Sequence, residues 1–275
     1  MAEGLKQSVP SLEGTWALIL GASSGFGEAT SLELAGLGMH IMGVHLDRKS
    51  TMANVERITK EIKSKGREAL FFNVNAADPD KRREVLDALQ QRTAGAGETA
   101  PIRVMLHSLA FGTLKPFIAD TEEESLTKAQ MDMTLDVMAN SLVYWTQDLV
   151  KRGLMGRGGR VFAMTSAGGA RVWKTYGAVS AAKAALESHV RQLTLELGPL
   201  GITVNAVMAG VTDTPALRKI PGSDRMLQMA LAKNPSGRLT TPQDVAAAIG
   251  LLAHPKAQWV TGNVICVDGG EFVVD

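Results

Sequence analysis

The sequence contains almost no cysteine and little histidine. Cys266 is the single cysteine among 275 residues, so the chain cannot form an internal disulfide. The five histidines are scattered and lack the short spacing of a metal site. We therefore expect a protein that binds no metal and belongs to a reducing compartment.

The chain also lacks an excess of charge of one sign and a long apolar run. Its 29 basic and 28 acidic side chains leave a formal charge of +1, so the electrostatic footprint of a nucleic-acid binder is missing. No apolar stretch reaches the roughly 18 residues that span a bilayer, and residues 1–10 lack a basic region followed by an apolar core. These features predict a soluble, cytoplasmic protein whose partners are small molecules rather than nucleic acid or membrane.

Hydrophobic residues are frequent enough to build a core. They make up 45% of the chain, against 21% charged residues, which is close to the globular average. A chain of 275 residues is about the size of one large α/β domain. We expect residues 1–275 to fold as a single domain.

Short apolar or β-branched runs alternate with longer stretches of helical period. Strands are predicted at 15–20, 40–45, 69–73, 102–107, 160–165, 203–206 and 263–267. Helices are predicted near 26–37, 51–65, 79–92, 122–153, 174–198 and 242–253. Right-handed crossovers between parallel strands stack helices on both faces of a sheet. The order therefore predicts a Rossmann-type, doubly wound parallel sheet of about seven strands, with ligands at the carboxyl ends of the strands.

Residues 211–237, here called the lid segment, interrupt this alternation. They carry three prolines and two glycines around a short run rich in Leu and Met. An insertion of this length is more often a functional lid than a plain connection. The alternative is that its apolar side chains only pack the insertion onto the domain. These side chains are Leu217, Ile220, Met226, Leu227, Met229, Ala230 and Leu231.

A glycine-rich turn follows the first predicted strand and opens a helix. Its sequence is Gly21-Ala22-Ser23-Ser24-Gly25-Phe26-Gly27. Glycines let the backbone turn sharply and approach a ligand closely, while the free N–H groups and the helix dipole face a phosphate. The turn therefore predicts a site for a dinucleotide pyrophosphate, the alternative being a tight strand-to-helix turn without a ligand.

One of the two tyrosines in the chain precedes a lysine by about two helical turns. Tyr144 is expected to pack within a helix. Tyr176 and Lys183 are seven residues apart, so their side chains would project from one helix face about 10 Å apart along the axis. A lysine beside a phenol and a bound ribose lowers the cost of negative charge on oxygen. Tyr176 is thereby suited to donate a proton or a hydrogen bond to a developing oxyanion.

The spacing Gly-x-x-x-Gly-x-Gly resembles that of the short-chain dehydrogenase/reductase family, and the resemblance extends from Gly14 to Phe272. In that family the end of the second strand selects the cofactor, through an acid for the ribose of NAD or a base for the phosphate of NADP. Here three possible phosphate contacts, His45, Arg48 and Lys49, outnumber the one acid, Asp47. The resemblance thus implies NADPH, with NADH as the alternative, unless this stretch is only a solvated charged turn.

Further contacts with the dinucleotide are implied by the same resemblance. Asn75 stands where the family usually has an Asp that meets the adenine. Backbone around Ser108 would line the nicotinamide ribose, which Lys183 would orient. Thr212 and Thr214 lie in a segment that resembles the one holding the carboxamide and the pyrophosphate.

The spacing between Tyr176 and Lys183 separates two branches of the family. The commoner ketoreductases have Tyr-x-x-x-Lys, and their tyrosine would stand here at Val179. Tyr-x6-Lys instead resembles the divergent enoyl-acyl carrier protein reductase subgroup with a ketoreductase-like glycine motif. The asparagine of the ketoreductase proton relay would fall at Met138, which cannot relay protons. Ser166 replaces a second tyrosine of well-studied bacterial enoyl reductases, and either offers its hydroxyl to the substrate carbonyl or only caps a turn.

The resemblance implies NADPH-dependent reduction of trans-2-enoyl thioesters in fatty acid synthesis. Tyr176, Lys183 and Ser166 would be the catalytic residues, and the acyl group would be carried by acyl carrier protein or coenzyme A. A homotetramer is the family's usual assembly. Two other hypotheses stay open: a ketoreductase or hydroxy-dehydrogenase for 3-oxoacyl thioesters or steroids, and a non-catalytic cofactor-binding regulator. The retained Tyr176 and Lys183 argue against the regulator.

Overall fold

The structure is a computed structural model that describes residues 12–94 and 100–274. The N-terminal stretch 1–10, considered above for a leader, lies outside the described residues. In the part that is described, no helix is both long and apolar enough to cross a bilayer. The same residues contain no group of three or more His, Cys, Asp and Glu side chains placed to hold a metal ion.

A seven-stranded, wholly parallel sheet forms the centre of the fold. In chain order the strands are β1 (Trp16–Leu20), β2 (His40–His45), β3 (Ala69–Asn73), β4 (Ile102–His107), β5 (Arg160–Thr165), β6 (Thr203–Ala209) and β7 (Val264–Val267). Their spatial order is β3-β2-β1-β4-β5-β6-β7. The order reverses between β1 and β4, which is where such sheets bind ligands. The predicted doubly wound fold is confirmed.

Helices cover both faces of the sheet. In chain order those of the described residues are α1 (Gly25–Gly36), α2 (Met52–Ser64), α3 (Pro79–Thr93), α4 (Lys128–Leu135), α5 (Ser141–Lys151), α6 (Gly177–Leu197), α7 (Ser223–Lys233) and α8 (Pro242–Ala253). One face is packed by α1, α2 and α8, through residues such as Leu34, Ile58 and Ile249. The other is packed by α3, α5 and α6, through residues such as Leu89 and Trp145.

The central strands are buried and mostly apolar because neither face of the sheet meets water. All five residues of β1 are buried, and so are all six of β5. On the α5 side, the Trp145 indole nitrogen donates a hydrogen bond to the Ala76 carbonyl oxygen at 2.8 Å, so this large side chain is buried without an unpaired donor. The two layers hold the carboxyl ends of β1, β4, β5 and β6 at one rigid edge.

The boundaries differ from prediction in the region expected to form one helix over 122–153. Helix α4 begins only at Lys128, because Thr127 and Gln130 form a reciprocal capping box that starts the helix there. A π-helical turn, Asp136–Asn140, then separates α4 from α5. The helix predicted over 174–198 begins at Gly177, and the strand predicted at 203–206 continues to Ala209.

The lid segment contains the single-turn helix Leu217–Lys219 and helix α7. Gly222 enters α7 with a φ of +80°, a left-handed conformation that glycine adopts without strain. The Trp173 indole nitrogen donates to the Pro221 carbonyl oxygen at 3.0 Å, and the Trp173 ring lies beside Gly222. The lid segment is thereby attached to the loop that leads into α6.

Candidate functional site

The glycine-rich turn joins the ends of β1 and β4 by close backbone contact. Gly21 has a φ of +91°, and a Cβ added there would lie 2.3 Å from the carbonyl oxygen of Ser108. A Cβ on Gly27 would lie 2.0 Å from the Gly21 carbonyl oxygen. Since real atoms do not approach so closely, only glycine fits both positions. The structure thus brings Gly21 and Ser108, both predicted to contact the cofactor, to one point.

The first turn of α1 is free to bind an anion. Ser24 is the N-cap residue, yet its side chain makes no capping hydrogen bond to the first-turn N–H groups. Gly25 faces the start of the lid segment, because a Cβ added there would lie 3.5 Å from the Thr214 methyl carbon. Phe26 packs partly into the core beneath. The first-turn N–H groups of α1, with Thr214 beside them, are suited to an anion such as a pyrophosphate.

Asp47, the acid that follows β2, faces the glycine-rich turn. Asp47 is hydrogen-bonded by the Thr51 hydroxyl at 2.6 Å, by His45 Nδ1 at 3.0 Å and by the Ser23 side chain. Burial raises the pKa of Asp47, but these hydrogen bonds outweigh it and hold the pKa below its ordinary value. His45 is only 3% exposed, so it supports Asp47 from inside. Arg48 remains exposed.

Two asparagines near the end of β3 differ in what they do. The Asn73 amide brackets Asp47: its oxygen accepts from the Asp47 N–H at 2.9 Å and its nitrogen donates to the Asp47 carbonyl at 3.0 Å. Asn75, the residue expected to meet the adenine, lies exposed in the following turn, where its side-chain oxygen accepts from the Ala77 N–H at 3.0 Å. Asn73 carried no signal in the sequence, because its partner is 26 residues away.

Tyr176 and Ser166 meet at the carboxyl end of β5. The Ser166 hydroxyl accepts from the Gly168 N–H at 3.0 Å and also hydrogen-bonds the Tyr176 phenol. A Cβ on Gly168 would lie 2.5 Å from the phenol ring, so the turn fits closely against it. Burial raises the pKa of Tyr176, and the contact with Ser166 opposes this. Ser166 therefore both caps a turn and contacts the phenol, whereas Tyr144 lies partly exposed on α5 under Arg82.

Lys183 lies buried behind this pair, with 6% of its surface exposed. Its Nζ donates to the Met164 carbonyl oxygen at 2.7 Å. Burial lowers the pKa of Lys183 to about 8, and the negative charge of Glu187 opposes the shift. Glu187 is anchored in turn by the Thr165 hydroxyl at 2.6 Å. The i, i+4 spacing from Lys183 is the sequence signal that would have found Glu187.

Apolar side chains occupy the two positions where ketoreductases have their relay asparagine and their tyrosine. Met138 and Val179 are both buried, with 2% and 5% of their surfaces exposed. A Cβ on Gly112 would lie 2.8 Å from each of the Met138 sulfur, a Val179 methyl and the Thr134 methyl. The two positions that the other branch would use for its asparagine and its tyrosine are thus adjacent here, and neither carries a group that exchanges protons.

A family model described as enoyl-(acyl carrier protein) reductase matches residues 21–271. The chain belongs to the short-chain dehydrogenase/reductase family. It is therefore an oxidoreductase of that family, whose related enzymes bind a nicotinamide cofactor. The predicted resemblance to the enoyl reductase subgroup is confirmed at this level.

Relatives within the short-chain dehydrogenases/reductases differ in what they reduce. A chloroplastic NADPH-dependent aldehyde reductase-like protein of Arabidopsis thaliana is 31% identical, over 94% of this chain and 94% of its own. A 3-oxoacyl-(acyl-carrier-protein) reductase of Pseudomonas aeruginosa is 30% identical, over 96% and 99%. The crystal structure of an NADH-dependent enoyl-(acyl-carrier-protein) reductase from Aquifex aeolicus superimposes with a TM-score of 0.81 at 24% identity, covering 96% and 98%. At that identity, the superposition shows the shared fold alone.

Thr175, directly before Tyr176, holds a strained backbone. Its φ is +67°, a left-handed conformation that is rare for a β-branched residue. Such a conformation destabilises by roughly 1–2 kcal/mol outside glycine and, to a lesser degree, asparagine. The strain lies at the residue directly before Tyr176, and functional sites are where such strain is concentrated.

Thr175→Asn is expected to raise the free energy of unfolding by about 1 kcal/mol, because asparagine tolerates the left-handed region better. Tyr176 keeps its place in this variant, so turnover is expected to change little. Thr175→Val is the matched control, since it removes the hydroxyl and retains the branched Cβ. Urea denaturation measures the free energy of unfolding of both variants. Equal values for the two would contradict the strain at Thr175.

Proposed function

We propose that this protein reduces trans-2-enoyl thioesters with NADPH, in fatty acid synthesis. The observation that carries the proposal is the apolar pair Met138 and Val179, which replaces the proton-exchanging groups of the ketoreductase branch. Tyr176 lies one helical turn earlier, beside Ser166. Because the phenol is displaced by one turn, the substrate oxygen that it contacts lies at a different position relative to the hydride donor. This placement suits a substrate reduced at the β-carbon rather than at the carbonyl carbon.

The reaction adds a hydride to the β-carbon and a proton to the α-carbon, with negative charge on the thioester oxygen in between. When bound, the reduced nicotinamide supplies the hydride. The raised pKa of Tyr176 keeps its phenol protonated at neutral pH, so it donates a hydrogen bond to the oxygen as charge develops there. The Ser166 hydroxyl contacts the phenol and fixes its direction.

Lys183 contributes positive charge behind Tyr176. Its ammonium is held by the Met164 carbonyl at 2.7 Å, so its position is set by β5 rather than by the ligand. In a buried site with little water, a nearby positive charge stabilises an oxyanion more strongly than it would in water. The remaining N–H donors of the ammonium are suited to orient a ribose.

Carbonyl reduction is the second candidate, favoured by the 30% identity to a 3-oxoacyl-(acyl-carrier-protein) reductase. Tyr176 would then act as the general acid for the alkoxide. A cofactor-binding regulator is the third, and the buried Tyr176 and Lys183 argue against it. Oxidation of NADPH with crotonyl and acetoacetyl thioesters, each on acyl carrier protein and on coenzyme A, separates the first two candidates and identifies the carrier. Exclusive use of acetoacetyl substrates would overturn our proposal.

Tyr176→Phe is expected to lower kcat on crotonyl thioesters by roughly 10²–10⁴-fold, the effect of removing a general acid or an oxyanion donor. Cofactor binding, measured by fluorescence titration, is expected to stay near normal in this variant, whereas Lys183→Ala is expected to weaken it as well. Tyr144→Phe is the control for loss of a phenol elsewhere. Full activity of Tyr176→Phe would exclude the mechanism.

The preference for NADPH rests on the exposed cations after β2. The Asp47 carboxylate is already engaged by three donors of the protein, so it has little capacity left for a ribose diol. Neither the Arg48 nor the Lys49 side chain makes a hydrogen bond or an ion pair with any residue that the structure describes. Both are available to a 2′-phosphate.

Replacing Arg48 and Lys49 together by alanine is expected to raise the KM for NADPH by about tenfold or more, since a hydrogen bond to a charged group contributes about 1.5–3 kcal/mol. The KM for NADH is expected to change little, because NADH has no phosphate at this position. Lys151→Ala, at the exposed end of α5, controls for loss of surface charge. Preference of the unaltered protein for NADH would contradict the assignment.

The lid segment is proposed to cover the acyl chain. Met229 and Leu231 are about half exposed, while Ala230 between them is buried against the domain. The contact of Trp173 with Pro221 attaches the segment to the loop that carries Tyr176. An apolar substrate chain lying beneath α7 would cover such side chains and exclude water from the reacting atoms.

Met226→Gln together with Met229→Gln is expected to raise the KM for dodecenoyl thioesters roughly tenfold or more, because an amide placed against an apolar chain costs about 1–3 kcal/mol. Crotonyl substrates are expected to be nearly unaffected, since a short chain does not reach α7. Leu251→Gln on the exposed side of α8 is the control. Equal losses for short and long chains, with a lower Tm, would show that the two methionines only pack the segment.

We further propose a homotetramer in the cytoplasm. Leu195 on the outer side of α6 is 73% exposed and Trp259 near β7 is 94% exposed, so both elements present apolar surface that a second copy would cover. The single cysteine suits a reducing compartment. Light scattering of the purified protein measures the assembly, and a monomer would refute it.

A further inference from the structure

Two carboxylates flank the glycine-rich turn that is suited to phosphate. Asp47 hydrogen-bonds the Ser23 side chain on one side. On the other side, Glu28 lies in the first turn of α1, which follows the N-cap residue Ser24. A negative charge there is favourable for the helix, whose amino end carries a partial positive charge, but it opposes the binding of a second anion at the same end. A phosphate site at this turn therefore needs the charge of Glu28 to be neutralised.

Helix α2 supplies the neutralising groups. The Arg57 guanidinium forms an ion pair with Glu28 Oε1, and the Asn54 amide nitrogen donates to Glu28 Oε2 at 2.9 Å. Both carboxylate oxygens are thus bonded to α2. Within residues 12–94 and 100–274, Arg57 is the cation paired with Glu28. Because 22% of the Glu28 side chain is exposed, water screens its charge only in part.

Asn54 joins this ion pair to the backbone of the glycine-rich turn. The amide nitrogen that donates to Glu28 also donates to the Ser23 carbonyl oxygen at 2.7 Å. The amide oxygen accepts from Arg57, from Nε at 3.1 Å and from Nη2 at 2.9 Å. These partners fix the orientation of the amide, because a guanidinium only donates and a carbonyl only accepts. The Glu28 carboxylate and the Ser23 carbonyl therefore lie within two hydrogen-bond lengths of each other, beside the end of α1.

The ion pair is poorly placed to stabilise the fold. Half of the Arg57 side chain is exposed, and exposed ion pairs contribute little to the free energy of unfolding because water and salt screen them. Arg57 also contacts Glu61, one helical turn later, at 3.3 Å. A dinucleotide at the end of α1 is affected more strongly, since loss of Arg57 would leave Glu28 unpaired near its phosphates.

We propose that Arg57 is a positioning residue for NADPH, because it neutralises Glu28 at the end of α1. Through Asn54 the same pair holds the Ser23 carbonyl, so the N–H groups that open α1 face the phosphates without a repelling charge. Arg57 acts through Glu28 and does not touch the ligand. An unpaired Glu28 repels NADPH more than NADH, since NADPH carries one phosphate more. The inference rests on the proposed cofactor and does not depend on the substrate.

Binding of NADPH and NADH, measured by fluorescence titration without substrate, tests this inference. Arg57→Ala is expected to raise the Kd for NADPH by about tenfold, the order of magnitude of one added charge near a protein surface. The Kd for NADH is expected to rise by about threefold or less. Arg92→Ala is the matched control, because Arg92 is 52% exposed against 50% for Arg57 and pairs with Glu68, next to the amino end of β3. This control is expected to leave both Kd values unchanged.

The double variant Glu28→Gln with Arg57→Ala separates this role from a structural one. Glutamine keeps an oxygen for the Asn54 amide and removes the charge, so the Kd for NADPH is expected to return to within about twofold of that of the unaltered protein. If Arg57 contacted a phosphate itself, or only supported the fold, the loss of affinity would persist in the double variant. Such a persistent loss would overturn the inference, and so would equal losses for NADPH and NADH in Arg57→Ala.

Ionic strength gives a second readout. The ratio of the NADPH Kd of Arg57→Ala to that of the unaltered protein is expected to fall toward one between about 0.05 M and about 0.5 M salt, because the Debye length shortens. A ratio that does not change with salt, together with a lower Tm, would show that Arg57 only supports the fold. If neither enoyl nor carbonyl thioesters are reduced, the proposed reaction fails, while these titrations still decide the role of Arg57.

Discussion

One buried ammonium, that of Lys183, constrains the groups around it. A charge removed from water is unfavourable unless acceptors replace its hydration. The Met164 carbonyl supplies one acceptor, and the Glu187 carboxylate, held by Thr165, supplies opposite charge one helical turn away. Burial and the positive charge of Lys183 lower the pKa of the nearby His107 to about 3, so that ring is neutral at physiological pH. The surroundings of Lys183 therefore supply a carbonyl acceptor, an acid and a neutral ring.

The parts of the fold that depend on local pattern were predictable from the sequence. Strands β2 to β5 coincide with the predicted ranges, because strands buried on both faces are continuous apolar runs. The glycine-rich turn was predictable too, since the need for close backbone approach leaves glycine as the only residue that fits. The roles expected for Tyr176 and Lys183 came from their place after the fifth strand and from the family resemblance, and spacing alone would not have given them.

Features that depend on distant partners were not predictable. The start of α4 at Lys128 was missed although its signal is local, because the Thr127–Gln130 capping box lies within a stretch that has helical period on both sides. The inward direction of Asp47 depends on Asn73, and the buried His107 ring has its hydrogen-bond partner in Ser141, 34 residues later. Thr175 was hidden for another reason: sequence rules place glycine or asparagine at left-handed positions, and a threonine there is an exception.

The loop that carries Tyr176 is supported from two directions. Trp173 bonds to Pro221 in the lid segment, and Arg171 donates to the Phe272 carbonyl at 2.8 Å near the C-terminal end. Glu271, next to Phe272, accepts from the Val211 N–H at 3.0 Å, where the lid segment begins. Lid segment, loop and C-terminal turn are thus connected in a ring of contacts. Movement of one of these segments therefore disturbs its hydrogen bonds to the other two.

The π-helical turn Asp136–Asn140 has a consequence for how this branch of sequences diverges. A π turn contains one residue more than an α turn, so everything after it is rotated by about 100° relative to an uninterrupted helix. Ser141 is the first residue past the turn and reaches His107 only in that rotated frame. Deleting one residue here would regularise the helix and turn Ser141 away. Insertion or deletion of a single residue in this region therefore replaces one set of inward-facing side chains by another. Point substitutions leave the rotation of the helix unchanged.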